Sequence, residues 1–209
     1  MNLIIFGYRG YGRSEGIPSE KGLLMDGSAI AHYVFESREL ENVVDRKQVF
    51  LFGRSLGGAV AASVSLEKDL PFKGIIIENT FTTMADLVDI MFPPLYFIKN
   101  YLLKTKFETK NIIGKIQRPI LFCRSELDEL IPKNQMDTLY NLANGALFKE
   151  YYIIKGGSHN DGFNTDKEGY AQAIKNFTEK CNEFYKNYKE NNLDNKNNNE
   201  NNNLKQKIE

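Results

Sequence analysis

The segment GRSLG, residues 53–57, has the pattern Gly-x-Ser-x-Gly and is a candidate for nucleophilic chemistry. It follows the apolar run 49–52 and precedes small apolar residues, so we expect a strand, a sharp turn and a helix. In that setting the Ser55 hydroxyl is exposed, the glycines avoid backbone collisions, and the Leu56 N–H faces a developing oxyanion. The alternative is a glycine-rich turn that holds a serine by chance, because so short a pattern recurs often.

A serine hydroxyl in its ordinary state is a weak nucleophile, so this chemistry needs a general base. Of the two histidines, His32 falls inside a predicted helix, where a structural role is expected. His159 follows the apolar run 150–154, in the loop KGGSHND, at the carboxyl edge where Ser55 is also expected. We predict that His159 is the base. The alternative for an isolated loop histidine is a solvent-exposed residue without a chemical role.

The base in turn needs a carboxylate that fixes its tautomer and stabilises the imidazolium. The loop 124–132 follows another apolar run and offers three acidic residues: Glu126, Asp128 and Glu129. We choose Asp128, which is central in this loop, and the chain order serine, acid, histidine agrees with the choice. Asp161 is too close to His159 in sequence and is expected to be a loop or helix-capping residue.

Other residues at the same predicted edge are candidates for substrate contacts. Tyr8 lies in a Gly- and Arg-rich loop and is predicted to form a wall of the site, whereas Arg9 is expected to pair with a carboxylate. Phe81 follows the run 74–78 and is predicted to line the pocket, although core packing is the commoner role of an aromatic residue. The apolar stretch 84–104 suits either a lid for an acyl chain or a helix pair over the core.

The elements that position these residues alternate along the chain. Short apolar runs predict five strands, at 3–6, 49–52, 74–78, 119–123 and 150–154. Helical spacing predicts helices at about 20–37, 56–67, 133–143 and 167–188, with a helical, cap-like excursion at about 82–105. Continuous apolar strands separated by helices predict an α/β fold, a mostly parallel sheet with helices on both faces.

Composition limits the function classes. The 209 residues suffice for one domain, which we assign to 1–188, and the Asn-rich tract 189–209 is predicted to be disordered. Lys plus Arg and Asp plus Glu both number 27, so no excess of basic charge indicates nucleic-acid binding. No metal-ligand spacing such as Cys-x2-Cys occurs, and we expect neither a metal nor a cofactor.

Two cysteines, Cys123 and Cys181, do not make a disulfide framework in a chain of this length, which favours a reducing compartment. The sequence contains no run of eighteen apolar residues and no signal-peptide pattern. We therefore expect the chain to be cytoplasmic, or membrane-associated if a longer form carries an N-terminal anchor.

Five segments, in order and spacing, resemble the Bem-type α/β hydrolases over about residues 2–185: YRGYGRSEGIPSEKGL, FLFGRSLGGAVA, ENTFTT, LDELIP and GGSHND. The resemblance implies Ser55 as nucleophile, Asp128 as acid and His159 as base. It also implies relatives of protein depalmitoylases and lipid esterases, which are often anchored in a membrane. The expected activity is serine-dependent hydrolysis of ester or thioester bonds of acyl chains, with a serine peptidase as an alternative.

The family pattern includes a strand that ends in a His-Gly loop and supplies the second oxyanion N–H. No segment of this sequence matches that strand, so the Leu56 N–H is the one oxyanion donor that can be assigned. We therefore expect an N-terminally truncated form of a longer enzyme, in which the run 3–6 is a buried strand without an upstream partner. The alternative is a non-catalytic, hydrolase-like interaction protein.

Overall fold

The structure is a computed structural model that describes residues 2–91, 94 and 105–205, with side chains up to Tyr188. In this part of the chain, α1 to α7 are Glu20–Glu36, Leu56–Val64, Met84–Met91, Thr109–Ile112, Lys133–Leu142, Gly162–Thr165 and Lys167–Lys205. The strands β1 to β4 are Phe50–Arg54, Gly74–Glu78, Ile120–Ser125 and Lys149–Ile154. Short 3-10 helices occupy Arg38–Leu40, Arg46–Gln48 and Ile113–Lys115.

The four strands form one parallel sheet in the order β1-β2-β3-β4. Phe50 lies opposite Gly74, Ile75 opposite Ile120, and Ile120 opposite Lys149. Because all four strands are parallel, their carboxyl ends lie at one edge of the sheet. The loops that follow β1, β2, β3 and β4 therefore meet at this edge, which we call the carboxyl edge.

Helices cover both faces of the sheet. On β2, Ile75 and Ile77 pack with Met136 and Leu139 of α5, whereas the intervening Ile76 packs with α7. This alternation follows from the period of two residues in a strand. It explains why β2 is buried along its whole length and reads as a continuous apolar run. The predicted α/β class, with a parallel sheet and helices on both faces, is confirmed.

The predicted strand over 3–6 is wrong. These residues form no strand, and the side chains of Leu3 and Ile5 are 68% and 81% exposed. An apolar run becomes a buried strand only where a neighbouring strand pairs with it and another layer covers it. Among the residues that the structure describes, no strand pairs with this run. The other four predicted strands are confirmed, with boundaries that shift by at most two residues.

The predicted helix at 20–37 is confirmed as α1. It begins after Ser19, whose hydroxyl oxygen accepts a hydrogen bond from the Gly22 N–H at 3.1 Å and caps the helix. Of the predicted excursion at 82–105, α3 forms the start, whereas residues 92, 93 and 95–104 lie outside the described part of the chain.

The last helix, α7, begins at Lys167 as predicted but extends to Lys205. Helical backbone thus covers most of the Asn-rich tract for which composition predicts disorder. No glycine or proline follows Gly169, so neither of the two strongest helix breakers interrupts it. The domain boundary at residue 188 stays a prediction. None of the helices described here is long and apolar enough to cross a membrane.

Candidate active site

Ser55 lies in the turn between β1 and α2, and its backbone adopts φ 53° and ψ −121°. A positive φ is strained for a residue with a side chain and costs of the order of 1–3 kcal/mol. Two hydrogen bonds, one to the last residue of β2 and one to the loop after it, hold the turn. The Ser55 N–H donates to the Glu78 carbonyl at 2.9 Å, and the Ser55 carbonyl accepts from the Thr80 hydroxyl at 2.7 Å. The segment 53–57 therefore has the strand, strained turn and helix that its pattern predicts.

The two glycines of this pattern have different steric roles. A Cβ atom on Gly53 would lie 2.1 Å from the Gly57 carbonyl oxygen and 2.5 Å from its carbonyl carbon. Both are backbone atoms at the start of α2, so they cannot move without distorting the turn. A Cβ atom on Gly57 would instead have the Tyr8 hydroxyl as its nearest neighbour, at 3.8 Å. The close approach of the Gly57 backbone therefore requires a glycine at position 53, whereas position 57 has room for a Cβ atom.

Replacing Gly53 with alanine is expected to lower the free energy of unfolding by about 1–3 kcal/mol or more, because the added methyl group overpacks the turn. Gly57→Ala is the matched control, since it adds the same methyl group in open space within a helix. We expect this control to be neutral or to stabilise by about 0.5–1 kcal/mol. Urea unfolding of both variants measures the difference, and equal losses would contradict the steric argument.

His159 and Asp128 form a buried pair in the loops after β4 and β3. The His159 Nδ1 lies 3.0 and 2.8 Å from the two Asp128 carboxylate oxygens, and the side chains are 6% and 3% exposed. Asp128 Oδ1 also accepts hydrogen bonds from the backbone N–H groups of Leu130 and Ile131. The carboxylate is therefore fixed from three directions. This arrangement favours the tautomer with its proton on Nδ1 and leaves Nε2 to accept a proton.

The other acidic residues near this pair contact backbone N–H groups instead of the imidazole ring. Glu126 accepts from the Gly156 N–H at 2.9 Å, and Glu129 accepts from the N–H of His159 itself at 3.1 Å. Asp161 accepts from the Ser158 N–H at 2.6 Å, which agrees with its predicted role in the loop. Of the candidate acids, the structure brings Asp128 to the ring.

The loops that carry Ser55 and His159 are in contact at the carboxyl edge. The Arg54 side chain donates a hydrogen bond to the Asn160 carbonyl at 3.3 Å. Within the described residues, no hydrogen bond joins the Ser55 hydroxyl to the His159 ring. Leu56 is the first residue of α2, so its N–H has no acceptor within the helix and is available to an oxyanion.

The predicted substrate-contact residues lie in different environments. Tyr8 is half-buried against the Ser55 turn, and its burial together with the nearby Asp26 carboxylate raises the pKa of its hydroxyl. Arg9 forms the expected ion pair, with Asp26, at 2.6 Å. Phe81 is only 1% exposed and packs within the core. Its position fits the core-packing alternative and not a pocket wall.

One group of side chains among the described residues has an arrangement that could hold a metal ion: His32, Glu67 and Asp69. This group lies beyond the carboxyl-terminal end of α2, whereas Ser55 precedes the amino-terminal end of that helix. The length of α2 therefore separates this group from Ser55. The expected structural role of His32 is met by hydrogen-bond contacts of its two ring nitrogens with Glu36 and Glu67.

Sequence analysis missed a buried acidic residue beside the site. Glu78 ends β2, is 5% exposed, and accepts a hydrogen bond from the Tyr170 hydroxyl at 2.5 Å. Burial raises the pKa of Glu78 and the Asp128 carboxylate adds to this, whereas the Tyr170 hydrogen bond and the positive charge of Arg54 offset it only in part. Burial, and secondarily this carboxyl, also raises the pKa of Cys123. The available signal was an acidic residue that closes the otherwise apolar run GIIIE.

The raised pKa of Glu78 predicts a pH-dependent change in stability. A carboxyl whose pKa is higher in the folded state favours folding at low pH, and this contribution is lost as pH rises through the folded-state value. Glu78→Gln keeps an acceptor for the Tyr170 hydroxyl but cannot ionise. We expect its melting temperature to rise relative to wild type between pH 5 and pH 8, by about 2–4 °C for each kcal/mol.

Thermal unfolding monitored by circular dichroism at several pH values measures this difference. Glu179→Gln is the matched control, because Glu179 is exposed and lies 3.9 Å from the Lys175 ammonium at the surface. The difference in melting temperature between Glu179→Gln and wild type should change little with pH. If the melting-temperature difference between Glu78→Gln and wild type is equally independent of pH, the raised pKa of Glu78 is contradicted.

The comparisons with known proteins agree with this architecture. No protein-family model matches the chain. The chain is 34% identical over 178 residues to protein bem46 of Schizosaccharomyces pombe, which covers 85% of this chain and 57% of that protein. It is 31% identical over 191 residues to the alpha/beta hydrolase domain-containing protein WAV2 of Arabidopsis thaliana, with coverage of 86% and 61%.

Among solved structures, the chain is similar to the esterase Pf2001 of Pyrococcus furiosus, with a TM-score of 0.63. The match covers 83% of this chain and 68% of that one at 15% identity, so it shows the fold alone. The chain spans less than two thirds of the length of the two curated relatives.

Proposed function

The chain belongs to the Bem-type α/β hydrolases, and from this premise we propose that it hydrolyses ester or thioester bonds of acyl chains. One observation carries the proposal: the buried His159–Asp128 pair lies at the sheet edge where the strained turn also carries the half-buried Ser55. A nucleophile, a base and an acid are thus supplied by three neighbouring loops. The similarity to protein bem46 and to the alpha/beta hydrolase domain-containing protein WAV2 supports hydrolysis in general.

In the proposed reaction, Ser55 Oγ attacks the acyl carbonyl carbon while His159 Nε2 takes up the hydroxyl proton. Asp128 stabilises the resulting imidazolium, and the Leu56 N–H donates to the oxyanion of the tetrahedral intermediate. Collapse of the intermediate expels the alcohol or thiol, which receives the proton from His159. Water then attacks the acyl-enzyme in the same way, which releases the carboxylic acid and restores the Ser55 hydroxyl.

Tyr8 is proposed to form a wall of the substrate site, since it lies against the Ser55 turn. A contact of Phe81 with substrate would require movement of the core, because this side chain is buried. The stretch 84–104, for which an acyl lid or a helix pair over the core is predicted, begins with α3, which carries partly exposed Ile90 and Met91. Residues 92, 93 and 95–104 lie outside the described part of the chain, so both alternatives stay predictions.

One observation favours a second candidate, a non-catalytic interaction protein. Leu56 supplies the one oxyanion donor that can be assigned among the described residues, and loss of a single donor costs about 10²–10³ in rate in a well-studied protease. A serine peptidase is a third candidate, because the same three residue types also serve amide hydrolysis and the fold does not determine the substrate.

A fluorophosphonate probe, which reacts with activated serines, tests the proposal on the 209-residue chain. We expect one modified residue, Ser55, when the labelled protein is digested and analysed by mass spectrometry, and no labelling of heat-unfolded protein. Comparing the turnover rates of p-nitrophenyl acyl esters, an acyl thioester and peptide amides identifies the type of bond that the chain hydrolyses. Faster amide turnover would favour the peptidase. Absence of labelling in protein that is folded by circular dichroism would contradict the proposal and favour the interaction protein.

A further inference from the structure

Asn79, the first residue after β2, joins three segments of the candidate site. Its side chain is fully buried, and its backbone has φ 45°. The side-chain oxygen accepts the Ser125 N–H at 2.7 Å, and the amide nitrogen donates to the Ser125 hydroxyl at 2.9 Å and to the His159 carbonyl at 3.3 Å. One amide group therefore ties the end of β2 to two other segments. The first is the end of β3, which leads into the loop 126–132 that carries Asp128 (the acid loop), and the second is the loop 155–161 that carries His159 (the histidine loop).

The residues on either side of Asn79 hold the nucleophile turn. The Glu78 carbonyl accepts the Ser55 N–H, and the Thr80 hydroxyl donates to the Ser55 carbonyl. Three consecutive residues thus contact the loops that carry Ser55, Asp128 and His159. A displacement at Asn79 would change the position of the histidine loop relative to Ser55, because both loops are attached to the same short segment.

The chemistry of Asn79 suits this position in two ways. Asparagine is one of the few residues other than glycine that adopt a positive φ readily. Its amide also offers both an acceptor and two donors, and the three hydrogen bonds above use both kinds of group. Glycine would keep the backbone conformation but not the hydrogen bonds, and most other residues would keep neither.

We propose that Asn79 is a positioning residue that sets the distance between the His159 ring and the Ser55 hydroxyl. It acts through the His159 carbonyl and the start of the acid loop, and it does not touch the reacting atoms. Asp128 fixes the ring at Nδ1 and Glu129 holds the His159 N–H, so Asn79 adds the third anchor of this residue. The proposal rests on the proposed hydrolase function of the same site.

Asn79→Gly tests the proposal, because it keeps a positive φ while it removes the amide. We expect kcat for acyl-ester hydrolysis, per labelled active site, to fall by about 10²-fold, as misplacement of a catalytic group by about 1 Å does. KM should change little. Ser125→Ala is the matched control, since it removes the Asn79–Ser125 hydroxyl contact and leaves the bond to the His159 carbonyl intact. Its loss of kcat should be clearly smaller.

Prolonged labelling with the fluorophosphonate probe counts the competent sites in each preparation. A merely structural role for Asn79 would lower that count and leave the rate per labelled site at the wild-type value, which would overturn the proposal. If Asn79→Gly does not fold, Asn79→Asp carries the same comparison, because it keeps the side-chain volume and the acceptor for the Ser125 N–H but has no donor for the His159 carbonyl.

The proton on His159 Nδ1 provides a readout that needs no turnover. Its NMR resonance should shift or broaden in Asn79→Gly and stay close to the wild-type position in Ser125→Ala. If the wild-type chain does not hydrolyse acyl esters, the proposed function fails and this resonance alone decides the positioning role. An identical resonance in wild type and Asn79→Gly would then overturn it.

Discussion

Replacing Ser55 with alanine is expected to lower kcat for acyl-ester hydrolysis by about 10⁶-fold, the scale found when a serine protease loses its nucleophile. Ser55 is the residue of the turn between β1 and α2 and is held there at φ 53°. We therefore expect no other hydroxyl to take its place. Alanine keeps the backbone hydrogen bonds of the turn. The free energy of unfolding should therefore change little while activity is lost.

Steady-state hydrolysis and fluorophosphonate labelling measure this loss. Ser63→Ala is the matched control, because Ser63 lies on the same helix α2 and its hydroxyl donates to the Ala59 carbonyl. That variant should hydrolyse esters at the wild-type rate and keep the label. Hydrolysis by Ser55→Ala within about tenfold of wild type would contradict the role of Ser55 as nucleophile.

Replacing Asp128 with asparagine is expected to lower kcat by about 10⁴-fold, the effect of the same change in a serine protease. The amide oxygen would still accept the N–H groups of Leu130 and Ile131, so the loop should keep its conformation. The amide nitrogen would then face His159 Nδ1 and favour the tautomer with its proton on Nε2. In that tautomer the ring cannot take the proton of the Ser55 hydroxyl.

Measured kcat, together with circular dichroism to show that the variant folds, tests this prediction. Glu126→Gln is the matched control from the same loop, since Glu126 accepts the Gly156 N–H and makes no contact with the ring. Its loss of kcat should be small. Comparable losses in the two variants would indicate that the loop, and not the Asp128 carboxylate, supports His159.

Local patterns allowed much of the fold to be predicted. Four apolar runs became strands because consecutive apolar side chains suit a parallel sheet that is covered on both faces. The run 3–6 has the same composition but no strand of the described sheet beside it, and it forms no strand. Hydrophobicity alone thus indicates which runs can enter a sheet, whereas pairing with a neighbour decides which of them do.

The candidate site could be predicted in part for the same reason. The pattern at 53–57 and the positions of Asp128 and His159 after two strands are local features, and parallel pairing of the strands is enough to bring them to one edge. Asn79, Glu78 and Tyr170 could not be found in this way. Their roles depend on contacts between residues 46, 80 and 92 positions apart.

By itself, the sequence determined the order of β1 to β4 and of the helices α1, α2, α5 and α7, the nucleophile turn and the residue types available at the carboxyl edge. The sequence favoured Asp128 as the acid, and the tertiary structure brings its carboxylate to the His159 ring while Glu126 and Glu129 contact backbone N–H groups. The tertiary structure also decided that Phe81 lies in the core and that Glu78 is buried beside the site. The physical reason is that burial and hydrogen-bond partners belong to the packed chain, whereas turn geometry and periodicity belong to short segments of it.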